Sequence, residues 1–174
     1  MKRAAWAFLL LVAVPLVPKT AEAFDLSAGV DVGGVLVGTR PRLAIRPNIG
    51  IAWRTEACLL LALSDAADLL PATDAHGIGV YNHTSVRLGY GWPNGRFSVG
   101  PALAIYSTPA CGQRWCGRLT GLSPGGVVQL DYFFSEWLGV SASATVDWLT
   151  GSDVLPAGAA ASVFVGPLVK WSSQ

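Results

Sequence analysis

Two side chains in this sequence have the types and spacing of a nucleophile and its base. His83 and Ser85 stand two residues apart, so on an extended strand both side chains point to the same face. An imidazole next to a serine hydroxyl can act as the general base for nucleophilic attack. The same face carries Arg87, whereas Val86 and Leu88 lie on the opposite face. We therefore favour a hydrogen-bonded interior histidine and keep His83 and Ser85 as the alternative, catalytic pair.

The three cysteines suggest a second kind of chemistry. Cys111 and Cys116 are close enough in sequence to form a disulfide that staples a loop in an oxidising compartment. Cys58 lies in an apolar run and is interpreted as a buried free thiol. The stapled loop either resists proteolysis or presents the side chains at its tip to a partner; these are Gln113, Arg114 and Trp115. The two histidines and three cysteines have no clustered ligand spacing, so no metal or other cofactor is expected.

Strict alternation identifies the elements that would position these side chains. Between residues 137 and 148, Leu, Val and Ala alternate with Gly, Ser, Thr and Asp, which predicts a strand with one apolar and one polar face. Trp137 and Trp148 stand at the two ends of this run, as aromatic residues do at the borders of a membrane-spanning strand. Eight strands are predicted, over residues 25–37, 42–54, 56–64, 78–90, 97–106, 122–134, 137–148 and 159–171.

Some positions in the predicted strands break the pattern. At Gly33 and Gly34 the apolar phase slips by one residue, which predicts a β-bulge. Three prolines lie inside strands, where each removes a ladder donor, so they are expected at bulges or near strand ends. These are Pro47, Pro101 and Pro167.

The third predicted strand does not alternate, and the predicted connections differ in length. Residues 56–64 are apolar on both faces, so a short helix is an alternative to a strand there. Short and long connections alternate along the chain, and the acidic segment around residues 65–76 is a candidate exposed loop. The long connections are predicted at residues 65–77, 107–121 and 149–158.

The N-terminus and the composition indicate export to a membrane. Lys2 and Arg3, an apolar run and then Ala-Glu-Ala at residues 21–23 predict a signal peptide over residues 1–23, exported through the Sec pathway, and a mature domain over residues 24–174. Only 13% of the residues are charged, about half the share usual in soluble domains. No apolar run in the mature domain reaches the length of a spanning helix. An exported apolar chain without such helices can live in lipid by closing a β-sheet.

The end of the chain carries a family resemblance. Residues 163–171 alternate Val, Val, Pro and Val up to Trp171, similar to the C-terminal signal by which the assembly machinery recognises outer-membrane barrels. With its eight strands, the chain resembles the small outer-membrane barrels of Gram-negative bacteria, of the OmpA transmembrane domain and OmpX type. The resemblance implies an all-β, antiparallel, up-and-down barrel in the cell outer membrane, with short periplasmic turns and longer outer loops. It implies lipid, lipopolysaccharide and that machinery as partners.

The resemblance also predicts what fills the barrel. Eight strands leave an interior just wide enough for side chains, so we expect a hydrogen-bonded and ion-paired plug, with a narrow ion path as the alternative. The predicted lumen network is Asp31, Arg46, Arg54, Arg87, Asp131 and Asp147. Function would then lie in the outer loops, as a structural role or an interaction with an extracellular partner. A net charge of +1 without a basic patch speaks against nucleic acid.

Two other function classes stay open. The His-x-Ser spacing of His83 and Ser85 is similar to that of the outer-membrane lipid A deacylases, although Val86 follows where that family usually has Asn. Inverting the two faces of every strand would instead give a soluble, lipocalin-like barrel with a hydrophobic ligand inside. The thin set of small polar residues available for its exterior favours the membrane barrel. Because a hydrogen-bonded interior histidine is favoured over a catalytic pair, we expect a protein that is not an enzyme.

Overall fold

The chain folds into eight antiparallel strands that close into one barrel, as predicted. The computed structural model describes residues 21–37, 40–71, 79–111, 116–149 and 158–173. Each strand pairs with the next along the chain, and β1 also pairs with β8. The strands are β1 Ala21–Val37, β2 Arg40–Thr55, β3 Leu59–Leu70, β4 Gly79–Trp92, β5 Gly95–Cys111, β6 Cys116–Phe133, β7 Leu138–Leu149 and β8 Gly158–Ser173.

The ladder between β1 and β8 closes the barrel and brings the two ends of the described chain together. Leu26 lies opposite Trp171, and Val37 lies opposite Ala160. Together with both ends of the described chain, the β2–β3, β4–β5 and β6–β7 turns lie at one end, here called the turn end. The other four connections define the loop end. An up-and-down order with an even number of strands produces this arrangement.

The alternation of the sequence separates an apolar outer face from a polar lumen. Outward side chains such as Leu43 and Leu88 are 76% and 65% exposed, whereas inward polar side chains such as Asp131 and Ser141 are buried. This polarity suits a barrel surrounded by lipid. It is the reverse of the arrangement that the lipocalin-like alternative requires, in which the apolar residues face inward. Among the described residues, no helix has the length and apolarity needed to cross a membrane.

Outward aromatic residues gather at the turn end. Seven exposed ones and the half-buried Trp53, which contacts Phe24, ring that end of the barrel, whereas at the loop end Trp148 is the outward aromatic side chain among the described ones. Aromatic rings at this level are typical of the membrane–water border. The seven are Phe24, Tyr90, Phe97, Tyr132, Phe134, Trp137 and Trp171.

Three predicted boundaries are wrong because the wall continues where loops were expected. The third element is a strand rather than a helix, and it runs on through Asp65 and Asp68 to Leu70. Strands β5 and β6 also continue into the predicted long loop, pairing as far as Cys111 opposite Cys116. Polar residues favour loops in general, but Asp68 lies on the inner face of its strand, where a polar side chain fits the polar lumen.

The predicted bulge at Gly33 and Gly34 is absent. Gly33 pairs with Ala44 and Gly34 with Leu43 in the same register as their neighbours. The slip in the apolar pattern arises because Val35, which keeps its inward position, is buried in an apolar cluster inside the barrel. The lumen is therefore apolar at this level, and an inward valine requires no irregularity of the backbone.

The three strand prolines also fail to mark bulges or strand ends. Pro47, Pro101 and Pro167 point outward, and the register is the same on both sides of each. On one side of each proline the ladder skips the neighbouring pairs, as between Gly29–Leu168 and Val32–Val165. The missing N–H thus costs local pairing without shifting the strand.

Cys58 lies in the β2–β3 turn rather than in a buried strand. Its backbone has a φ of 60°, a conformation that favours glycine, and its free thiol is half-buried. The turn is closed by the Cys58 N–H donating to the Thr55 carbonyl oxygen at 2.9 Å. The carbonyl oxygen of Cys58 accepts from the Gly91 N–H at 2.8 Å.

Candidate functional site

The lumen holds the chemistry-bearing side chains, and Arg46 is the centre of its largest group. Strand β2 carries Arg46 inward because even-numbered residues of that strand face the lumen. Its Nε and Nη2 donate to the two carboxylate oxygens of Asp68 at 2.5 and 2.8 Å, a bidentate pair. Its other donors reach the hydroxyls of Ser143 and Ser162 at 3.2 and 2.9 Å. The guanidinium also stacks over Phe164, 3.8 Å from the ring centroid.

His83 belongs to the same group and lies between two carboxylates. Its Nε2 is 3.1 Å from Asp68 Oδ2, and its Nδ1 is 3.5 Å from Asp147 Oδ2. The hydroxyl of Ser85 instead pairs with the hydroxyl of Ser64 at 2.9 Å. His83 and Ser85 share the lumen face as predicted from their spacing, but their polar contacts go to different partners. The geometry is that of an interior histidine held in a network.

A second group lies nearer the turn end and is centred on Arg96. The Nε of Arg96 donates to Asp131 at 2.6 Å, and its Nη2 donates to the Ser27 hydroxyl at 3.1 Å. Its Nη1 is 3.7 Å from the Asp25 carboxylate. Arg96 and Lys170 both lie over the ring of Phe133, at 5.5 and 4.4 Å from its centroid.

Gln129 and Arg87 extend this second group toward the middle of the barrel. The amide of Gln129 donates to Asp131 Oδ1 at 2.8 Å and its oxygen accepts from Arg87. Between the two groups lies a cavity of about 30 Å³, with room for about two water molecules. Asp31 and Arg87 line it, and each has a buried polar atom without a protein partner, Oδ1 and Nε respectively. Such atoms are the usual partners of buried water.

Glycine lets the wall approach these charged groups closely. A Cβ on Gly166 would lie 2.4 Å from the Val30 carbonyl oxygen and 2.6 Å from Asp31 Oδ1. The absence of a side chain there leaves room for Asp31, whose Oδ2 accepts from Asn48 Nδ2 at 3.0 Å. The small residue on β8 is thus part of the Asp31 site.

The two ends of the lumen are built differently. The loop end is filled by the loop-end cap, an apolar cluster of Val35, Ala44, Leu70, Tyr81, Tyr106, Ala160 and Phe164. In the cap, Tyr81 and Tyr106 stack with ring centroids 5.7 Å apart. The turn end opens into a cavity of about 1020 Å³, the turn-end vestibule, whose lining includes Asp25, Arg54 and Lys170.

All six predicted lumen residues face the interior, but they do not form one network. Arg46 and Asp147 join the group around His83, Arg87 and Asp131 join the group around Arg96, and Asp31 lies at the cavity between them. Arg54 lies beside the Arg96 group without a hydrogen bond to it among the described residues, and it lines the vestibule.

The sequence interpretation missed three central residues. Asp68 lies in the segment predicted as a loop, Arg96 lies just before the predicted fifth strand, and Asp25 is the first residue of the predicted first strand. The signal that could have found Asp68 and Arg96 is phase: each continues the inward alternation of its strand by two-residue steps. Within the described ranges no group of three His, Cys, Asp or Glu side chains could hold a metal ion.

The predicted surface site is only partly covered by the structure. Gln113, Arg114 and Trp115 lie outside the described residues. The backbones of Cys111 and Cys116 are opposite each other at the end of the β5–β6 ladder, which is the placement a cross-strand disulfide needs. Their side chains lie outside the described part of the structure, so the disulfide remains a prediction.

Solved structures of other proteins have the same architecture. Neisserial surface protein A (NspA) superposes with a TM-score of 0.58 at 12% identity, covering 86% of this chain and 99% of that one. The N-terminal β-barrel domain of OprF from Pseudomonas aeruginosa gives 0.55 at 16% identity, covering 87% and 98%. The fold is that of an outer-membrane β-barrel. Ail, the attachment invasion locus protein of Yersinia pestis, gives 0.50 at 14% identity, covering 86% and 98%.

The superpositions establish the outer-membrane barrel fold, and at these low identities they establish nothing finer. No protein-family profile and no curated protein sequence matches the chain. The eight-stranded barrel fold is therefore what this chain shares with these proteins, whereas the two lumen groups are features of this chain.

Proposed function

We propose that this protein resides in the bacterial outer membrane, with a closed lumen, and acts as a structural or surface-interaction barrel through its loop end. The observation that carries the proposal is the polarity of the wall, apolar outside and ion-paired inside. The likeness to NspA, the OprF barrel domain and Ail supports the same placement. In this proposal the turn end faces the periplasm and the loop end faces the exterior.

Solute passage is disfavoured by the packing of the lumen. The Arg46 and Arg96 groups fill the middle of the barrel and leave a cavity of about 30 Å³, while the loop-end cap closes the lumen above them. We expect planar bilayers containing the purified protein to show no steady conductance. Large and steady current steps would contradict the closed lumen.

The surface role rests on the hairpin formed by β5 and β6. Among the described residues, β5 pairs with β4 as far as Ser107, and β6 pairs with β7 from Gly125 onward. The β5–β6 ladder continues beyond both points to Cys111 and Cys116. In this proposal the hairpin extends past the wall, a disulfide closes its end, and the tip residues meet an extracellular partner.

Limited trypsin digestion of intact cells tests the exposure of the tip and the disulfide together. With Arg118→Gln to remove a nearby site, trypsin should cut after Arg114, and the two fragments should separate only after reduction. Arg114→Gln in the same background is the control and should abolish the cut. Failure of trypsin to reach Arg114 in intact cells would refute the surface role, and separation without reductant would refute the disulfide.

Membrane insertion is tested by gel mobility in SDS. Protein from the outer-membrane fraction should migrate faster unheated than boiled, because a closed barrel resists SDS until it is heated. Recovery as soluble periplasmic protein without a shift would contradict the proposal.

An enzymatic role is not favoured, because His83 is engaged by Asp68 and Asp147 and lies in the lumen rather than on the lipid face. We expect His83→Ala to leave the acylation pattern of lipid A unchanged. A change in that pattern, with the barrel still folded by gel mobility, would favour the deacylase alternative.

A further inference from the structure

A hydrogen-bonded polar group lies on the outer face of β3 and β4, among outward residues that are mostly apolar in the described part of the wall. There Asp65 Oδ1 accepts from Asn82 Nδ2 at 2.8 Å and from Thr84 Oγ1 at 2.9 Å. These three half-buried residues, here called the outward cluster, alternate with the lumen-facing His83 and Ala66 and so point away from the lumen. The cluster therefore belongs to neither of the two lumen groups.

The outward cluster lies within the apolar band rather than at its border. On β3, the outward Leu61 and Leu63 lie toward the turn end from Asp65, and Leu69 lies toward the loop end. On β4, the outward Val80 lies toward the loop end, and Leu88 lies toward the turn end. Apolar outward residues on both sides place the carboxylate at the depth of the lipid chains.

A carboxylate at this depth is costly when it faces lipid, and polar groups in a membrane usually face a polar partner. Asn82 and Thr84 satisfy one oxygen of Asp65, and among the described residues no donor reaches Oδ2. Lipid chains offer no donor, and lipid headgroups lie at the borders of the band. The partner must therefore bring a polar group to the same depth within the membrane.

We propose that the outward cluster is the centre of an interface between two copies of this chain. The inference rests on the proposed membrane location. A second copy inserted in the same direction, and related by a two-fold axis along the membrane normal, presents the same cluster at the same depth. The cluster is self-complementary, since it contains the Asp65 Oδ2 acceptor together with the second amide N–H of Asn82, a donor. Interhelical polar contacts associate helices in lipid by the same physics.

Small side chains allow the close approach that such an interface needs. Ala67 is outward, half-buried and directly opposite Asn82 on the neighbouring strand. It thus gives a position at which a reporter can be placed beside the cluster without removing any of its hydrogen bonds. Ala144, outward on β7, gives a matched position on another part of the wall.

The experiment is disulfide crosslinking of the full chain in outer-membrane vesicles, combined with sedimentation equilibrium in detergent. Single cysteines are introduced as Ala67→Cys or Ala144→Cys in a Cys58→Gly parent, and the parent without added cysteine gives the baseline. Gel mobility is recorded for every variant, so a failure to insert, which would refute the proposed function, is seen separately from a failure to associate.

We expect Ala67→Cys to form a crosslinked dimer and Ala144→Cys to stay at baseline. Asp65→Leu and Asn82→Leu, which replace the cluster by groups that suit lipid, should weaken the dimer by about tenfold, because a two-fold interface loses each contact twice. Ala144→Leu should leave it unchanged. A monomeric wild type in vesicles and detergent, equal crosslinking at both positions, or a dimer indifferent to Asp65→Leu would each overturn the proposal.

Discussion

The lumen is closed in two chemically different ways at its two ends. The loop-end cap is apolar and aromatic, and it seals by packing. Toward the turn end, Arg96, Asp131 and Asp25 hold the interior together by charge and hydrogen bonds, and the adjoining vestibule is open. An apolar seal excludes water and ions of either charge. A charged layer, in contrast, is stable only when each charged group has its partner in place. The two regions should therefore respond differently when single side chains are removed.

The buried charge of Arg46 is the point at which loss of one side chain should destabilise the fold most. Arg46 stands between the regions, with its guanidinium bound to Asp68 and stacked on Phe164 of the cap. Its charge is buried, and Asp68 is the carboxylate that binds it directly. A buried charge without its partner costs far more than a lost surface ion pair.

The largest effect is expected from Asp68→Ala. It leaves the Arg46 guanidinium and His83 without their shared carboxylate and should lower the free energy of unfolding by about 4 kcal/mol. The measurement is urea unfolding in lipid vesicles, followed by gel mobility. The matched control replaces both partners, Arg46→Leu with Asp68→Leu, and should lose less, because no buried charge is stranded. If the double variant were the weaker protein, charge burial would not be the reason for the loss.

Breaking the cap should come next. Phe164→Ala removes the ring that packs in the cap and carries the Arg46 guanidinium, with an expected loss of about 3 kcal/mol. Val165→Ala, the next residue on β8, faces outward and should lose much less, since lipid can fill the space it leaves. Unfolding midpoints of the two variants in the same vesicles decide this, and equal losses would mean that the cap is not a packed seal.

The charged region near the turn end should tolerate change better. Arg96→Leu should cost about 2 kcal/mol, because Asp131 keeps its bond from Gln129 and Asp25 lies beside the open vestibule. Arg54→Leu is the control in the same vestibule, as Arg54 makes no hydrogen bond to the described residues. A cost for Arg96→Leu above that of Phe164→Ala, by the same urea unfolding, would reverse the comparison between the two ends.

The smallest effect, and the one gain, is expected in the β2–β3 turn. Cys58→Gly should raise stability by about 1 kcal/mol, because glycine adopts a φ of 60° without the steric penalty of a Cβ. Cys58→Ala removes the thiol and keeps the Cβ, so its stability should match that of the wild type. A gain from alanine as large as that from glycine would point to the thiol instead of the backbone.

The sequence predicted the wall well because alternation in β2 and β7 is nearly uninterrupted. It failed where the lumen departs from a uniform polar interior. Val35 broke the pattern because the cap is apolar, and Asp68 suggested a loop because a strand carboxylate is unusual outside a polar barrel. Both errors arise because the surroundings of an inward side chain are set by the other strands of the barrel, which the pattern of a single strand does not show.

The candidate site was less predictable than the wall. Inward position could be read from phase, and the six predicted charged residues do face the lumen. Their partners could not be predicted in this way. Arg46 and Asp68 meet between β2 and β3, and Arg46 and Ser143 meet across the barrel from β2 to β7. Such contacts depend on strand stagger, which follows from register and not from the order of residues in one strand.

The ladder between β1 and β8 sets the order in which the barrel can form. Seven of the eight ladders join neighbours along the chain and can assemble as successive hairpins, whereas the eighth joins Leu26 to Trp171 across almost the whole described chain. Its loop-closure entropy is the largest, so closure should be the late and slow event of folding. Until it occurs, both edge strands are open templates for pairing with another chain, and speed of closure becomes a protection against aggregation.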